Sequence, residues 1–471
     1  MKKTKITLVN VWKYPAHTPH FGLCSLAAYL KQKNKKIKIQ IIEGFNPTKK
    51  IIKSQPDIIG YTSDTLAFNK TKKIASIIKK KLNRLTIIGG VHITAHPQSF
   101  GPPFDIGIIG EGEKTLLQIT KNVSNSKTQL AKINGVIFRQ NKKIIKTPPR
   151  KLITNIDKLP LPSRQLTPMA NYFQKQENLI KIQRQATTLT SRGCPYHCIF
   201  CGSPVQWGSV RFHSAPYVIN EILYLRKKYQ IDGVMFWDDL FIAPPQRLKK
   251  IKDLILKHKL DQKIIFVGYA RANLINTKAC KFLKQMNVKR LIFGFETGSN
   301  RILKYLKANS VTVKDNARAI RLCRKFGISP VSGYIVGTPG ETVSDLKKTY
   351  RFMKKHPLDN TQIYILTPYP GTKLWQTAIT KKLIKPNIDW QKLFVQLPPI
   401  NFKNFLIPTT NFLRDRVFLN PKQKNNHQYL NMINKIRKRA FIQNNLYYLK
   451  TLPINLPVFF KHLCKKFSLT A

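Results

Sequence analysis

The sequence predicts an α/β protein with two successive parallel-sheet domains and a mainly helical C-terminal extension. Two observations support this fold class. Short β-rich runs alternate with helical stretches over residues 1–120, and a second series of six strand–helix units begins at Thr187. Such alternation is typical of parallel sheets covered by helices, which bind ligands at the carboxyl ends of their strands. Beyond Pro370 the alternation fades.

Five strands are predicted in the first domain, because five short runs rich in Ile, Val and Leu are separated by stretches with helical spacing of apolar residues. These strands are Lys5–Val11, Ile37–Glu43, Asp57–Ser63, Leu85–Val91 and Asp105–Gly110. The intervening segments, such as GLCSLAAYLKQKN and NKTKKIASIIKKKLN, supply the crossover helices that parallel pairing requires.

The second series predicts a partial barrel. Its strands are Thr187–Ser191, Gly233–Trp237, Ile264–Tyr269, Arg290–Phe295, Pro330–Val336 and Thr361–Leu366. Strand spacings of roughly 25–45 residues fit six βα units, two fewer than a closed eight-unit barrel needs.

These patterns divide the chain into four parts. The first α/β domain takes residues 1–125, a hairpin (GVIFRQNKKIIK) and a Pro-rich linker take 126–185, the partial barrel takes 186–375, and a basic aromatic extension takes 376–471. The segment from Asn434 is predicted either as a pair of interfacial helices or as an ordinary packed cap.

The composition is that of a folded protein with a high positive charge. Hydrophobic residues make up 42% and aromatic residues 10%, which excludes a disordered or collagen-like chain. The net charge of +62 divides into +22 in residues 1–150, +24 in 151–370 and +16 in 371–471. Because this charge is spread along the chain, we interpret it mainly as a generally basic surface. An anionic partner is the alternative, and nucleic acid is disfavoured.

The compartment is inferred from the absence of export signals and from the cysteines. No apolar run approaches the roughly 20 residues that span a bilayer, and the first apolar stretch is too short for a signal peptide. Seven cysteines, three of them within eight residues, favour metal ligation in a reducing compartment over disulfides. We therefore expect a cytoplasmic protein, with a peripheral position on the inner face of the membrane as the alternative. Cys24, Cys280 and Cys323 are interpreted as small buried hydrophobic residues.

The strongest motif is SRGCPYHCIFCGSP, in which Cys194, Cys198 and Cys201 form a C-x3-C-x2-C array directly after a predicted strand. Three thiolates in one tight loop can bind three irons of a [4Fe–4S] cluster and leave the fourth iron open. The alternatives are chance clustering and a structural zinc site, which would need a fourth ligand such as His197 or His213.

This spacing, with Phe200 before the last cysteine, resembles the radical S-adenosylmethionine (SAM) superfamily, whose fold is a partial barrel. The resemblance implies that a reduced cluster cleaves SAM to a 5′-deoxyadenosyl radical, with a flavodoxin or ferredoxin as reductant. It also implies SAM contacts at Phe200, Asp238, Asp239, Arg271, Glu296, Gly333 and Gly337. In FWDDLF the match is by position and acidity, since many relatives have Gly-Glu there; a solvated loop acid is the alternative.

The N-terminal strands end in DIIGYTS, IIGGVHITAHP and DIGIIGEGE, and small residues at such ends let a large ligand approach the backbone. This order, ahead of a radical SAM domain, resembles the cobalamin-binding class of that superfamily. It implies a flavodoxin-like sheet and cobalamin contacts at Thr62, Ser63, Gly89, Gly90, His92, Gly110, Glu111 and Gly112.

The resemblance to the cobalamin-binding class is incomplete at the first strand. The DxHxxG motif of cobalamin mutases is absent there; His17 and His20 lie nearby, without its aspartate or its spacing. A histidine lower ligand is therefore not implied, and a sheet retained without cofactor is the alternative.

The resemblance favours a cobalamin-dependent methyltransferase that acts on an unactivated carbon of a small-molecule or lipid-like substrate. The first alternative is a radical cyclase, oxidoreductase or rearrangement enzyme similar to the anaerobic tetrapyrrole cyclase. A tRNA methylthiolation enzyme is disfavoured, because that family carries three cysteines in its N-terminal domain and this one has Cys24 alone. A non-enzymatic binding module is the last alternative. The basic aromatic tail favours an anionic membrane surface as partner. No residue is assigned a catalytic role.

Overall fold

Two seven-stranded sheets organise the molecule, one in each half of the chain. The structure is a computed structural model that describes residues 3–13, 16, 18–121, 127–176, 181–386, 388–393, 417 and 419–451. His17 and residues 452–471 of the basic tail lie outside the described residues.

The first sheet has the strand order β2-β1-β3-β4-β5-β6-β7, in which β1 to β5 are parallel and β6 and β7 antiparallel. Its strands are β1 (Thr4–Val11), β2 (Ile37–Gly44), β3 (Ile58–Thr62), β4 (Leu85–Gly89), β5 (Ile106–Ile108), β6 (Val136–Gln140) and β7 (Lys143–Lys146). The chain order reverses between β1 and β3, and such a reversal is where open α/β sheets bind ligands. The predicted flavodoxin-like sheet is confirmed, and the predicted hairpin pairs along its edge as β6 and β7.

Helices cover both faces of this sheet. They are α1 (Phe21–Lys33), α2 (Thr48–Ser54), α3 (Phe68–Leu82), α4 (Val91–Ala95), α5 (Glu113–Lys121) and α6 (Lys127–Leu130). On one face, Ile6, Leu8 and Ile87 pack with Leu23 and Leu116. The opposite face packs Val9, Ile59 and Ile88 against α3. Burial on both faces explains why the central strands are almost continuously apolar.

The second sheet has the order β16-β15-β14-β13-β12-β9-β8, in which the six strands from β9 to β16 are parallel and follow the chain order. Its strands are β8 (Gln174–Gln176), β9 (Ile182–Thr188), β12 (Gly233–Phe236), β13 (Ile265–Ala270), β14 (Val288–Glu296), β15 (Ser329–Val336) and β16 (Asn360–Ile365). A separate two-stranded ribbon pairs β10 (Ser191–Arg192) with β11 (Arg211–Phe212). The predicted partial barrel is confirmed.

The position of its first strand differs from the prediction. The sequence predicts Thr187–Ser191, whereas the strand is Ile182–Thr188 and the ribbon begins at Ser191. The start of the strand was not predictable, because the polar side chains of Gln183, Arg184 and Gln185 break its apolar pattern. The backbone N–H groups of Gln183 and Arg184 donate to the Asp232 carboxylate at 2.9 and 2.8 Å.

Most helices of this half pack on the curved sheet, whereas the short helix that starts at Ser203 contacts α4 and the helix that carries Leu374 and Trp375 packs into the cluster shared with the first half. They are α7 (Ser203–Trp207), α8 (Ala215–Tyr229), α9 (Pro245–Lys257), α10 (Thr277–Gln285), α11 (Asn300–Lys307), α12 (Val313–Lys325), α13 (Val343–Lys355) and α14 (Lys373–Thr380). Short 3-10 turns occupy Pro97–Ser99, Ile156–Lys158, Arg164–Leu166, Met169–Tyr172, Ala272–Leu274 and Trp390–Lys392. Cys280 and Cys323 are fully buried on α10 and α12, as expected of small core residues.

A long C-terminal helix, His427–Thr451, packs against the barrel. Tyr429, Leu430, Ile433 and Ile436 are fully buried in the core of the second half. From Asn434 to residue 445, where Ile436 and Ala440 are buried, the predicted tail is therefore a packed cap. Within the described residues, no helix is long and apolar enough to cross a membrane.

Candidate cofactor sites

The cysteine loop leaves the ribbon after Arg192 and is fixed at its middle by two other elements. The N–H of Ile199 donates to the carbonyl of Leu306 at 3.1 Å, and the carbonyl of Ile199 accepts from the N–H of Leu374 at 2.9 Å. Cys194, Cys198 and Cys201 are all partly exposed free thiols. The loop is therefore held from both sides, and its three cysteines remain partly exposed as residues.

The surroundings of the thiols suit a cluster better than a single ion. Among the described residues, no group of three or more His, Cys, Asp or Glu side chains converges on one metal position. A four-iron cluster requires no such convergence, because each thiolate binds a different iron. His213, one candidate fourth zinc ligand, instead pairs through Nδ1 with Asp157 at 2.9 Å and stacks on Tyr217.

Arg271 lies directly beside the cysteine loop. Its Nη1 donates to the Cys198 sulfur at 3.4 Å, its Nη2 donates to Ser310, and its guanidinium lies 3.8 Å from the ring centre of Tyr196. Burial raises the pKa of Cys201 to about 11. A cation beside the loop favours the thiolate form that iron binding requires.

The two adjacent acids after β12 point in different directions. Asp238 is 2% exposed, and its Oδ1 accepts from the N–H and the Oγ1 of Thr190 and from Ser191 Oγ. Burial raises the pKa of Asp238 to about 6, against the opposing effect of Arg247. Asp239 is exposed and accepts a hydrogen bond from Ser203 Oγ at 2.6 Å. Ser203 lies two residues after Cys201 in the chain. Asp238 thus braces the strand end, and Asp239 faces the cysteine loop.

Glu296 ends β14 in a left-handed backbone conformation, with φ +62°, at a break in the register with β15. Its Oε1 pairs with Lys307 Nζ at 2.8 Å, and Lys307 also donates to the carbonyl of Gly294. Both side chains are largely buried, so the charge of Glu296 is already balanced within the protein.

The remaining predicted SAM positions have packing roles in the described structure. A Cβ at Gly333 would lie 2.5 Å from the ring of Tyr364, so this glycine makes room for that ring. Gly337 has φ +83°, and its N–H donates to Glu341 at 2.9 Å. Phe200 packs against the hydrophobic cluster that links the two halves.

A cavity of about 550 Å³ opens at the carboxyl ends of β1, β3, β4 and β5. Seven of the eight predicted cobalamin positions line it: Thr62, Ser63, Gly89, Gly90, Gly110, Glu111 and Gly112. Residues with no predicted role also line the cavity, from both halves of the chain: Asn10, Trp12, Leu189, Arg192, Gln206 and Trp207.

Gly90 is required by its close contacts. It has φ +95°, and a Cβ there would lie 2.6 Å from Thr62 Oγ1 and 2.9 Å from the carbonyl of Ser63. An L side chain would therefore both strain the backbone and displace the cavity wall.

His92, the eighth predicted position, does not line the cavity. It is fully buried, with Nδ1 3.2 Å from Thr65 Oγ1 and Nε2 3.0 Å from Ser99 Oγ. Burial lowers the pKa of His92 to about 3, so the ring is neutral. His92 belongs to α4, and its ring is directed into the protein below the turn that begins at Gly90.

His20 does line the cavity, but as a hydrogen-bond donor. Its Nδ1 accepts the N–H of Leu23 at 3.2 Å and caps α1. Burial lowers the pKa of His20, so the ring is neutral and Nε2 carries its hydrogen, 3.4 Å from Thr62 Oγ1. In this arrangement Nε2 has no lone pair to offer a metal, in keeping with the missing DxHxxG motif.

Comparison with known proteins agrees with this geometry. The Radical SAM superfamily matches residues 188–353, and the B12 binding domain matches residues 7–120. An uncharacterised methyltransferase of Pyrococcus horikoshii is 34% identical over 399 residues, covering 82% of this chain and 84% of that protein. The chain belongs to the cobalamin-binding class of the radical SAM superfamily.

A cyclase and two solved structures extend this comparison. The anaerobic magnesium-protoporphyrin IX monomethyl ester cyclase of Rubrivivax gelatinosus is 26% identical over 336 residues, covering 69% of this chain and 59% of that protein. The methyltransferase TsrM of Kitasatospora setae, with tryptophan substrate and a SAM analogue, aligns with TM-score 0.69 and 15% identity over 94% of this chain and 97% of that one. OxsB, with aqua-cobalamin and SAM, aligns with TM-score 0.69 and 19% identity over 99% and 75%.

At these identities the two structures show a shared fold. The predicted family, fold class and enzyme class are therefore confirmed: this radical SAM protein is an enzyme with a B12-binding domain.

Proposed function

We propose that this radical SAM protein is a cobalamin-dependent methyltransferase that acts on an unactivated carbon. The observation that supports this most is the shared wall of the cavity. Thr62 and Gly90 come from the B12-binding domain, whereas Arg192, Gln206 and Trp207 flank the cysteine motif in the chain. A ligand in the cavity therefore lies against the segment that carries the cluster thiols.

The cofactors supply the hard chemistry in this proposal: the cluster provides the electron that cleaves SAM to a 5′-deoxyadenosyl radical, and cobalamin provides the methyl group. The residues bind and shield them. Cys194, Cys198 and Cys201 hold the cluster beside the guanidinium of Arg271. Gly90 and Gly110 let cobalamin approach the backbone of the first sheet.

For SAM itself, Asp239 is the proposed partner of the amino group. It is the acid of the pair that is exposed toward the cysteine loop, and an ionised carboxylate facing an ammonium forms a strong charge-assisted hydrogen bond. We place Arg271 at the carboxylate of SAM, with its guanidinium oriented by Ser310. Glu296 is placed beside SAM, with its carboxylate oriented by Lys307.

The acceptor is proposed to be a small molecule with an apolar or ring-shaped group. The inner face of the barrel sheet is lined by Ile182, Met235 and Val267. Above them, the ring of Trp237, 41% exposed, lies 5.8 Å from the ring of Tyr269. Exposed apolar surface of this kind favours apolar ligands, lipid-like ones included. A flavodoxin or ferredoxin as reductant and an anionic membrane surface as partner complete the proposal.

The test is a product assay on protein reconstituted anaerobically with iron, sulfide and hydroxocobalamin. SAM with a labelled methyl group, a strong reductant and a cell extract as acceptor source are added, and 5′-deoxyadenosine and S-adenosylhomocysteine are quantified together. Methyl transfer gives both in comparable amounts, with label in an acceptor. Deoxyadenosine alone overturns methyl transfer and favours the cyclase or rearrangement alternative.

Two glycine variants make the cobalamin requirement specific. Gly90→Ala places a Cβ against Thr62 and Ser63, so we expect loss of bound cobalamin and of S-adenosylhomocysteine. Gly327→Ala is the matched control, because Gly327 also has a positive φ, of +71°, with no heavy atom within 4 Å of its Cβ position. Normal cobalamin content in Gly90→Ala would contradict the assignment of the cavity.

A further inference from the structure

The ribbon of β10 and β11 closes the base of the cysteine loop. Arg192 and Arg211 are directly opposite one another in its antiparallel register. The three cysteines and α7 all lie between these two arginines in the sequence. A displacement of the ribbon therefore moves both ends of the cysteine loop.

Both arginines bind the GEGE turn that follows β5 in the other domain. Arg192 Nη1 lies 2.6 Å from Glu111 Oε1, and Arg192 Nη2 lies 2.6 Å from Glu113 Oε1. Arg211 Nη1 binds the same Glu111 oxygen at 2.7 Å. Glu111 Oε2 accepts the N–H of Ile153 at 2.9 Å. A single arginine thus spans two carboxylates, and one carboxylate joins both strands of the ribbon.

The ion pairs of Arg192 and Arg211 with Glu111 and Glu113 form a bridge between the two domains. This bridge is buried, and acidic residues are scarce in this chain. The side chains of Arg192, Arg211 and Glu111 are 12%, 7% and 4% exposed. The chain has 21 acids against 83 Lys and Arg, so carboxylates that face buried arginines are few. Burial by itself would raise the pKa of Glu111, but Arg192 and the Ile153 N–H outweigh it and hold that pKa low. Glu111 therefore stays ionised within the bridge.

The same residues form part of the cavity wall. Glu111, Glu113, Arg192 and Trp207 all line it. The Arg192 guanidinium lies 5.4 Å from the Trp207 ring centre, and Arg211 Nη2 donates to the Trp207 carbonyl at 3.0 Å. A molecule that fills the cavity therefore contacts the residues of the bridge directly.

We propose that Arg192 is a positioning residue that couples cobalamin binding in the cavity to SAM binding at the cysteine loop. This rests on the proposed function, in that cobalamin is the ligand of the cavity. Arg192 lines the cavity and lies two residues before Cys194, so a position of its guanidinium that favours one ligand also sets the cysteine loop for the other. Such coupling is reciprocal, so each ligand strengthens the other by one common factor.

The test measures binding without turnover. Cluster-reconstituted protein, without reductant, is dialysed to equilibrium against hydroxocobalamin with and without saturating SAM, and against SAM with and without cobalamin. We expect a coupling factor of roughly 5- to 150-fold, equal in both directions. In Arg192→Lys, which keeps the charge but cannot span two carboxylates, the factor falls to about one. Arg318→Lys is the matched control, because Arg318 forms an exposed ion pair with Asp315 on α12. This variant is expected to keep the wild-type coupling factor.

A spectroscopic readout separates coupling from loss of structure. The electron paramagnetic resonance spectrum of the reduced cluster, with a non-cleavable aza analogue of SAM bound, is expected to shift when cobalamin is added to the wild type. No shift is expected in Arg192→Lys. If Arg192→Lys fails to assemble a cluster, Glu113→Gln replaces it, because that variant leaves both arginines bound to Glu111.

Four outcomes decide the proposal. A wild-type factor near one with both ligands bound overturns it, and so does an unchanged factor in Arg192→Lys, or in Glu113→Gln where that variant replaces it. A wild type that binds no cobalamin overturns the proposed function as well. Coupling that disappears in the tested variant, in an enzyme that forms no S-adenosylhomocysteine, supports this inference and overturns methyl transfer alone.

Discussion

At the scale of single residues, Asp238 and Asp239 allow a sharp comparison of two neighbours. Asp239→Ala removes an exposed carboxylate, so the free energy of unfolding is expected to change by less than about 0.5 kcal/mol. The KM for SAM is expected to rise roughly tenfold or more, because a charge-assisted hydrogen bond contributes about 1.5–3 kcal/mol. The measurement is initial 5′-deoxyadenosine formation against SAM concentration, with urea unfolding of the same preparation.

Asp238→Ala is the structural counterpart. It leaves the N–H and hydroxyl of Thr190 and the hydroxyl of Ser191 without their buried acceptor. Unsatisfied buried groups cost about 1–3 kcal/mol, which urea unfolding detects. An unchanged KM for SAM in Asp239→Ala would exclude this side chain from SAM binding.

The candidate site was predictable to the extent that it depends on strand ends. Acids and glycines after strands marked Asp239, Gly90 and Glu111. The sequence did not show which of the adjacent acids, Asp238 or Asp239, points toward the cysteine loop. Adjacent residues at a strand end point to opposite sides, and Asp238 is the one that points into the protein. The partner of Glu111 was also missed, although Arg192 stands two residues before Cys194. An ion pair between residues 81 positions apart leaves no local pattern.

At the scale of elements, the C-terminal helix is attached to the barrel by a buried carboxyl. Tyr429 donates to Glu341 Oε2 at 2.6 Å, and the N–H of Gly337 donates to the same oxygen. Asn420 Nδ2 donates to the carbonyls of Thr338 and Glu341 at 3.0 Å. No signal in the sequence distinguishes this helix from a membrane-surface helix, since both need an apolar face. Only the packing partner decides between them.

Glu341 is expected to make stability depend on pH. Burial raises its pKa to about 7 from 4.5, and the nearby Asp345 adds to this. Between these values the folded state binds more protons than the unfolded state, so stability falls as pH rises from about 4.5 to about 7. The full loss is about 3 kcal/mol and is present above pH 7. Urea unfolding at about pH 5 and about pH 8 measures it.

Glu341→Gln is the control for this titration, because it keeps the shape of the side chain and its carbonyl acceptor. The variant is expected to lose less stability than the wild type between the two pH values. Equal losses in both proteins would show that Glu341 does not titrate in this range. The raised pKa of Asp238 contributes equally to both proteins and cancels in the comparison.

At the scale of the whole molecule, the fold was predictable because each half repeats one unit. A parallel strand followed by a covering helix gives two clear periodicities, and these predict parallel sheets joined by crossover helices. How the halves meet was not predictable. The cavity wall and the Arg192 bridge depend on contacts between domains, which no local pattern records.

The net charge of +62 leads to a prediction for the entire chain. With 83 basic and 21 acidic residues, repulsion among surface lysines opposes folding, and ions screen it over about 10 Å at 0.1 M salt. The melting temperature is expected to rise by several degrees when NaCl is raised from about 0.02 M to about 0.5 M. A variant with five exposed lysines on α2 and α3 changed to Glu has a net charge of +52, because each change removes two charges, and should respond less to salt. Its substitutions are at Lys49, Lys50, Lys53, Lys72 and Lys73.

A melting temperature that falls with salt would instead show that ion pairs such as Arg192 with Glu111 outweigh the repulsion among surface lysines. In that case the protein tolerates its basic surface without an anionic partner.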